Sequence, residues 1–315
     1  MEHLFTWNYL IVIYLFLAGL SAGSGVISSI GEIVNKADER VRRIGAYLAP
    51  FPVMLGLACL VLDLHRPLNF YQVLIHYNPT SVMSWGAFFL LVYPVTALAY
   101  AGLVYWNING TIRKVCTWLE LILGVAVGIY AGLLLSAIYA NPVWGNSIIA
   151  VLFFVSAIST GLCLIIIGGK VWDQTEDFLR RFIPEDLLPQ RKSLNFDNHI
   201  TRNLLTIDII IIVIELLVIS TLIISYALQP TGHMALGQAI ITGGYYLLFW
   251  IGLVLIGLLA PLTLAIMELQ DRFDHSLSPL ISWAEPVMVL FGGFILRYVI
   301  VYGGELVYPI LTFYQ

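Results

Sequence analysis

Residues 204–228 read LLTIDIIIIVIELLVISTLIISYAL, 25 residues with two carboxylates and no basic side chain. A helix needs about 20 apolar residues to cross about 30 Å of hydrocarbon, so this run is long enough to span a membrane. It is also continuous, without the short alternating segments of a barrel strand, and reads as a helix. Working outward, seven more runs bounded by charge, Pro and Gly fall at roughly 8–33, 43–63, 82–105, 116–138, 147–169, 240–267 and 283–304. In chain order these are spans 1 to 8, with 204–228 as span 6. Of the 315 residues, 60% are hydrophobic and 11% charged, against roughly half and a quarter in soluble proteins. A soluble chain of this length could not cover eight such runs with its own polar surface. The fold class is all-α, a polytopic membrane protein with eight transmembrane helices.

Basic residues orient the spans, because Lys and Arg are retained on the cytoplasmic side during insertion. The connections after spans 1, 3, 5 and 7 hold 13 of the 15, from Lys36, Arg40, Arg42 and Arg43 through to Arg272. The opposite side holds Arg66 alone, and Arg297 falls inside span 8. Both termini are therefore expected to face outward, away from the cytoplasm. The opening MEHLFTW has no basic residue, and the positive cluster follows the first run, so span 1 is expected to be retained. The net charge of −4 says little about partners, and no nucleic-acid patch is present.

Residues 170–203 form the one long polar connection, read as a cytoplasmic linker between two four-helix halves. Its amphipathic piece around Phe178, Leu179 and Phe182 suits a membrane surface. A repeat supports the halves: FLAGLSAG (16–23) in span 1 recurs as FVSAISTG (154–161) in span 5, 138 residues on. Both spans run outside to inside, which would make the repeat parallel. Gly19 with Gly23, and Gly128 with Gly132, have GxxxG spacing, for which close helix contact is reason enough.

The six His residues all lie in loops or at helix edges, so an intramembrane bis-His haem is not encoded. Cys59, Cys116 and Cys163 are isolated, with no CxxC. Neither an iron–sulfur cluster nor a structural zinc is expected, and each Cys reads as a small apolar residue.

Ionisable residues inside hydrocarbon are costly and mark function. Asp208 and Glu215 are seven apart and share a helix face. Glu215 lies about 11 residues from the cytoplasmic end, roughly 16 Å in, and Arg297 about 14 residues in, roughly 21 Å. A buried Arg needs a carboxylate partner, and Glu215 is the best placed. Glu32, Glu120, Glu268 and Glu285 sit near the cytoplasmic ends of spans 1, 4, 7 and 8. Singly each reads as water-facing or as a cap, as Glu285 before Pro286 could be. As a set, with Asp208 and Glu215, they outline a proton route from the cytoplasm.

At the outer side span 2 ends in Asp63, His65 and Arg66, stopped by Pro67. The loop closes with NPTSVMSWG (78–86), in which Asn78, Pro79, Thr80 and Ser81 read as a turn and N-cap for span 3. Tyr130 and Ser136 of span 4, and Asn8 and Tyr9 at the start of span 1, reach the same depth or nearby. Trp7, Trp85 and Trp144 suit an interfacial belt. Neither capping nor a belt explains an Asp, a His and the sole outer Arg within four residues.

YLFLAGLSAGSG in span 1, DLHRPLNFYQVLIHYNPTSVMSWGAF across spans 2 and 3, YAGLLLS with NPVW at span 4 and its exit, and SAISTG in span 5 resemble the NrfD/PsrC family. These are the quinone-interacting membrane subunits of respiratory complexes such as polysulfide reductase. The resemblance covers at least residues 9–161, with looser matches at Asp208, Glu215 and Arg297. It implies two four-helix bundles with both termini periplasmic, in the bacterial inner membrane. Residues 1–169 would be the first bundle (about 8–138) plus span 5, 170–203 the cytoplasmic linker, and 204–315 the three spans completing the second bundle.

The resemblance also implies that the chain holds no haem or iron–sulfur cluster of its own. Menaquinol would be oxidised at the outer side, its electrons passing to a periplasmic ferredoxin-like iron–sulfur subunit and then to a molybdopterin catalytic subunit. Oxidation releases two electrons and two protons, so the site needs hydrogen-bond partners for two ring oxygens and a proton acceptor. Tyr130 and His65 are assigned as those partners and Asp63 as the acceptor. Arg66 tunes Asp63 or grips the partner subunit, and Asn8 is a further candidate. Asp208, Glu215, Arg297, Glu120 and Glu32 are assigned to proton transfer. Polysulfide, thiosulfate, tetrathionate, nitrite and arsenate all stay open as terminal acceptor. The alternative reading is a secondary transporter, whose repeats and intramembrane Glu/Arg pairs look similar; a purely structural anchor is the third.

Overall fold

The computed structural model describes residues 8–34, 38–64, 78, 80–108, 110–137, 144–182, 198–228, 243–270 and 278–305, with backbone only at 173–182, 198–199 and 278–281. Among the described residues, all regular structure is helical. Eight helices among the described residues are long and apolar enough to cross a membrane: Tyr9–Val34, Glu39–Asp63, Val82–Tyr105, Thr111–Ser136, Ile148–Trp172, Ile200–Ala227, Leu248–Leu269 and Ser282–Glu305. The chain is a multi-pass membrane protein, and these are spans 1 to 8. The structure fixes no membrane side, so the end carrying Arg42, Arg113, Lys170 and Arg202 is called the basic end below.

Span 2 is two helices. Glu39–Leu48 begins at Asp38, whose side chain accepts from the Arg40 N–H at 2.9 Å. It buries Val41 and Ile44 while Arg43 holds Glu39 one turn away. Pro50 starts the apolar piece Pro50–Asp63, since a proline at the first helical turn gives up only a donor that has no acceptor there. Ser21 of span 1 ties the joint down, its hydroxyl donating to the Ala49 carbonyl.

Span 5 does not stop at 169: the helix Ile148–Phe182 carries straight on, and the next begins at Asn198. The amphipathic piece expected around Phe178 is a continuation of this helix, because charges at Lys170 and Asp173 end an apolar run without ending helical geometry. Span 7 is wound in wide π turns over Leu248–Leu259 and returns to α geometry over Ala260–Leu269, where Pro261 sits in the first turn. Arg202 caps its far end by donating to the Leu269 carbonyl at 2.9 Å.

Span 1 is enclosed by spans 2, 4, 5 and 8. Its crossing with span 5 runs through the repeated segments themselves. A Cβ on Gly23 would stand 1.8 Å from the Ala157 carbonyl oxygen, and one on Gly161 would stand 2.4 Å from the Gly23 backbone. Only glycine lets two backbones meet this closely. The two similar segments therefore form the seam between spans 1 and 5. Gly257 and Gly292 do the same for spans 7 and 8. Span 6 is the most lipid-facing, with Ile210, Val213, Ile214 and Leu217 exposed while Asp208, Ile212, Glu215 and Ile219 turn inward.

Candidate functional site

Polar groups gather inside the bundle at three depths. Near the midplane, Arg297 of span 8 is buried to 1% exposure. Its Nε donates to the Leu15 carbonyl at 3.1 Å, and one terminal nitrogen donates to the Gly293 carbonyl at 2.6 Å and to Ser156 Oγ at 3.4 Å. The guanidinium lies between the Phe16 and Phe153 rings, 5.7 and 5.5 Å from their centroids, where ring faces attract a cation. Gly19 makes the room, since a Cβ there would come within 2.4 Å of the guanidinium. Glu215 faces the same serine and feels the Arg297 charge. The expected pair is thus joined through Ser156 rather than by direct contact, and the rest of the charge is solvated by backbone carbonyls and aromatic faces.

Closer to the basic end lie two carboxyl clusters. In the first half, Glu120 of span 4 is fully buried against Tyr93 and accepts from Thr96 Oγ1 at 3.5 Å. The Tyr93 hydroxyl donates to the Ser21 carbonyl at 2.9 Å. Gly25 leaves space for both side chains, because a Cβ there would fall 2.4 Å from Glu120 Oε1 and 2.7 Å from the phenol oxygen. Toward the surface, Ser28 and Tyr100 share a hydrogen bond at 3.2 Å. Beyond them Glu32 is clamped by Arg42 at 2.7 Å and Arg113 at 2.9 Å. In the second half, Asp208 and Glu285 face one another beside Cys163, whose thiol lies 3.8 Å from Asp208 Oδ1. Glu285 is therefore neither water-facing nor a helix cap: its helix begins at Ser278, and the side chain is 1% exposed. Cys163 is likewise more than an apolar filler.

At the opposite end, Tyr130 of span 4 lies with its ring directly over Gly86, the glycine of MSWG; a Cβ there would overlap the phenol carbons at 1.7 Å. The ring is buried, with fully buried Tyr14 nearby, and the hydroxyl has no hydrogen-bond partner among the described residues. Ser84, two residues before Gly86, accepts from the Asn78 N–H at 3.3 Å, and Asn78 Oδ1 holds Thr80. Asn78 thus makes the expected turn, whereas Ser81 occupies the N-cap position without a side-chain bond. Asp63 ends span 2, partly buried. His65, Arg66 and Trp7 lie outside the described residues. Asn8 is exposed beside Tyr9, whose ring packs on Tyr298 and Tyr302 of span 8. Trp144 is not part of an interfacial belt: it is 2% exposed, spread over Gly304, and donates to the Ile300 carbonyl at 2.8 Å.

Sequence reasoning missed Tyr93, Ser21 and Ser156, which look like core or packing residues within apolar runs. The signal for Tyr93 and Ser21 was their register: both sit at the depth of Glu120 on neighbouring spans. Nothing in the sequence pairs Cys163 with two carboxyls from other helices.

The architecture defines a class: a multi-pass, all-helical membrane protein that keeps arginine and carboxyl groups inside its bundle and glycines at its crossings. More particularly, the chain belongs to the NrfD polysulphide reductase family, whose model matches residues 1–183 and 191–309. It is 31% identical to a subunit of the polysulfide reductase of Wolinella succinogenes, over 95% of this chain and 94% of that subunit. It is 27% identical to protein NrfD of Escherichia coli over 95% of each. It is also 28% identical to the integral membrane subunit of an Hdr-like menaquinol oxidoreductase of Archaeoglobus fulgidus, over 48% of this chain and 38% of that protein.

Proposed function

We propose that this chain is the quinol-interacting membrane anchor of a multi-subunit respiratory oxidoreductase. In this reading menaquinol is oxidised near the periplasmic face, and its electrons pass to an iron–sulfur subunit docked there and on to a molybdopterin catalytic subunit. The observation that carries it is the open phenol of Tyr130, held over Gly86 at the end opposite the basic residues. A hydroxyl that spends no bond on the described residues is free to bond a ligand, and a ring oxygen of a quinol would suit it. The relatives add support: one is a subunit of a polysulfide reductase by name and one belongs to a menaquinol oxidoreductase.

The quinol supplies two electrons and two protons when it is oxidised. Tyr130 and His65 hold the ring oxygens, Asp63 receives a proton, Arg66 tunes Asp63 or grips the docked subunit, and Asn8 lies at the rim. Spans 1–4 and 5–8 form the two bundles, both termini are periplasmic, and the membrane is the bacterial inner membrane. Asp208, Glu215, Arg297, Glu120 and Glu32 carry proton transfer between the basic end and the midplane.

Purification from the native membrane in mild detergent tests this reading. The chain is expected to bring down subunits containing iron and molybdenum, and added menaquinol is expected to reduce the iron–sulfur centres. Isolation alone, or with partners lacking redox centres, would overturn it in favour of a transporter.

A further inference from the structure

The repeat offset of 138 residues makes Cys163 the counterpart of Gly25. Each faces a buried carboxyl from the last span of its half, Glu120 or Glu285, but the partners differ. Glu120 meets hydroxyl groups, Tyr93 and Thr96, although the Tyr93 hydrogen goes to the Ser21 carbonyl and the shorter Thr96 bond to the Tyr93 carbonyl. Glu285 meets Asp208, a carboxylate oxygen of each and the Cys163 sulfur lying within 4.8 Å of one another, and two carboxylates have no hydrogen to offer each other. Their contact, in a place with 0% and 1% exposure, needs a proton between them. Asp208 Oδ2 and Glu285 Oε1 are buried without a hydrogen bond among the described residues, as is Glu120 Oε1.

A small crevice, with room for about one water, is lined by Ile166, Lys170, Thr201, Leu204, Leu205 and Ser282. Ile166 is three residues from Cys163, Leu204 and Leu205 are four and three from Asp208, and Ser282 is three from Glu285. Each wall therefore stands one helical turn, about 5.4 Å, from a member of the cluster. Lys170 donates to the Ser282 hydroxyl at 2.7 Å and to its carbonyl, which Pro286 leaves without an intrahelical donor. Other charges facing the cluster are few: Lys170 on span 5, Glu215 on span 6 and Glu268 on span 7.

We infer that Asp208 and Glu285, beside Cys163, form a proton-holding site in which the two carboxyls share one exchangeable proton, loaded from the basic end through the Lys170–Ser282 crevice. A proton enters along the crevice to a carboxylate oxygen and leaves toward Glu215, with no bond made or broken other than O–H. This deepens the proton-transfer part of the proposed function by naming where the proton waits and how it enters.

Infrared spectroscopy of the intact purified complex, without turnover, tests it. Wild type is expected to show the carbonyl stretch of a protonated carboxyl that shifts in D₂O. Asp208→Asn and Glu285→Gln should each abolish the same band, because an amide can then donate to the remaining carboxylate. Lys170→Met should slow its exchange several-fold while leaving it in place. If one amide variant fails to assemble, the other gives the same reading. A protonated-carboxyl spectrum unchanged by the amide variants, or a metal ion retained in wild type and lost from them, would overturn the inference. The band is read without quinol, so failure of menaquinol oxidation would leave this result standing, and the reverse.

Discussion

In the first half of the molecule a glycine at position 25 lets Glu120 close upon a tyrosine and a threonine; in the second half a cysteine at position 163 stands beside two carboxyls that face each other. In both places a helix carrying one of the two similar segments faces a glutamate from a later span. The chemistry differs because Glu120 has hydroxyl groups beside it, whereas two facing carboxyls need a proton between them. A handful of side chains makes that difference.

The seam between spans 1 and 5 is the most sensitive place to break that comparison. Gly23→Leu would drive a side chain into the Ala157 carbonyl, where backbone cannot yield. Overpacking ordinarily costs about 1–3 kcal/mol, and this contact exceeds the ordinary case; the expected outcome is loss of the chain from the membrane, read by immunoblot. A smaller effect is expected at the midplane. Glu215→Gln should keep menaquinol-dependent electron transfer while reducing generation of membrane potential roughly tenfold, the equivalent of about 1.4 kcal/mol on the coupled step. Potential and turnover both at wild-type level would remove Glu215 from the route.

The halves should also respond unequally to one methyl group. Gly25→Ala would press on Glu120 and Tyr93 and is expected to destabilise by about 1–3 kcal/mol. Cys163→Ala opens a little space and is expected to cost less than about 1.5 kcal/mol, close to a volume-conserving swap. Denaturation of the detergent-solubilised complex distinguishes them, and equal losses would show that the two pockets are not built differently. Trp144→Phe loses one bond to the Ile300 carbonyl and keeps the ring over Gly304, so about 1 kcal/mol is the expected loss in the same assay.

The eight crossings were legible because apolar length is a strong signal, and because the bilayer demands it of each span separately. The break at Ala49 was not, since an amphipathic turn and an apolar helix together make one crossing of ordinary length. Asp208 and Glu215 declared themselves as charges in hydrocarbon, and their seven-residue spacing gave their shared face. Their partners did not, because Ser156, Cys163 and Glu285 arrive from two other helices, and because Pro286 made Glu285 look like a helix start. Tyr130 stood out through its motif; what the structure adds is the reason for Gly86, which clears the place where the phenol lies.

That phenol is where a quinol site at this end of the bundle is most open to contradiction. Menaquinol-dependent reduction of the iron–sulfur partner should be measured in complexes carrying Tyr130→Phe, with assembly verified by subunit stoichiometry. The expected result is at least a roughly tenfold fall in turnover, about 1.4 kcal/mol, with the complex intact. Undiminished turnover in an intact complex would contradict it and move the quinol site elsewhere.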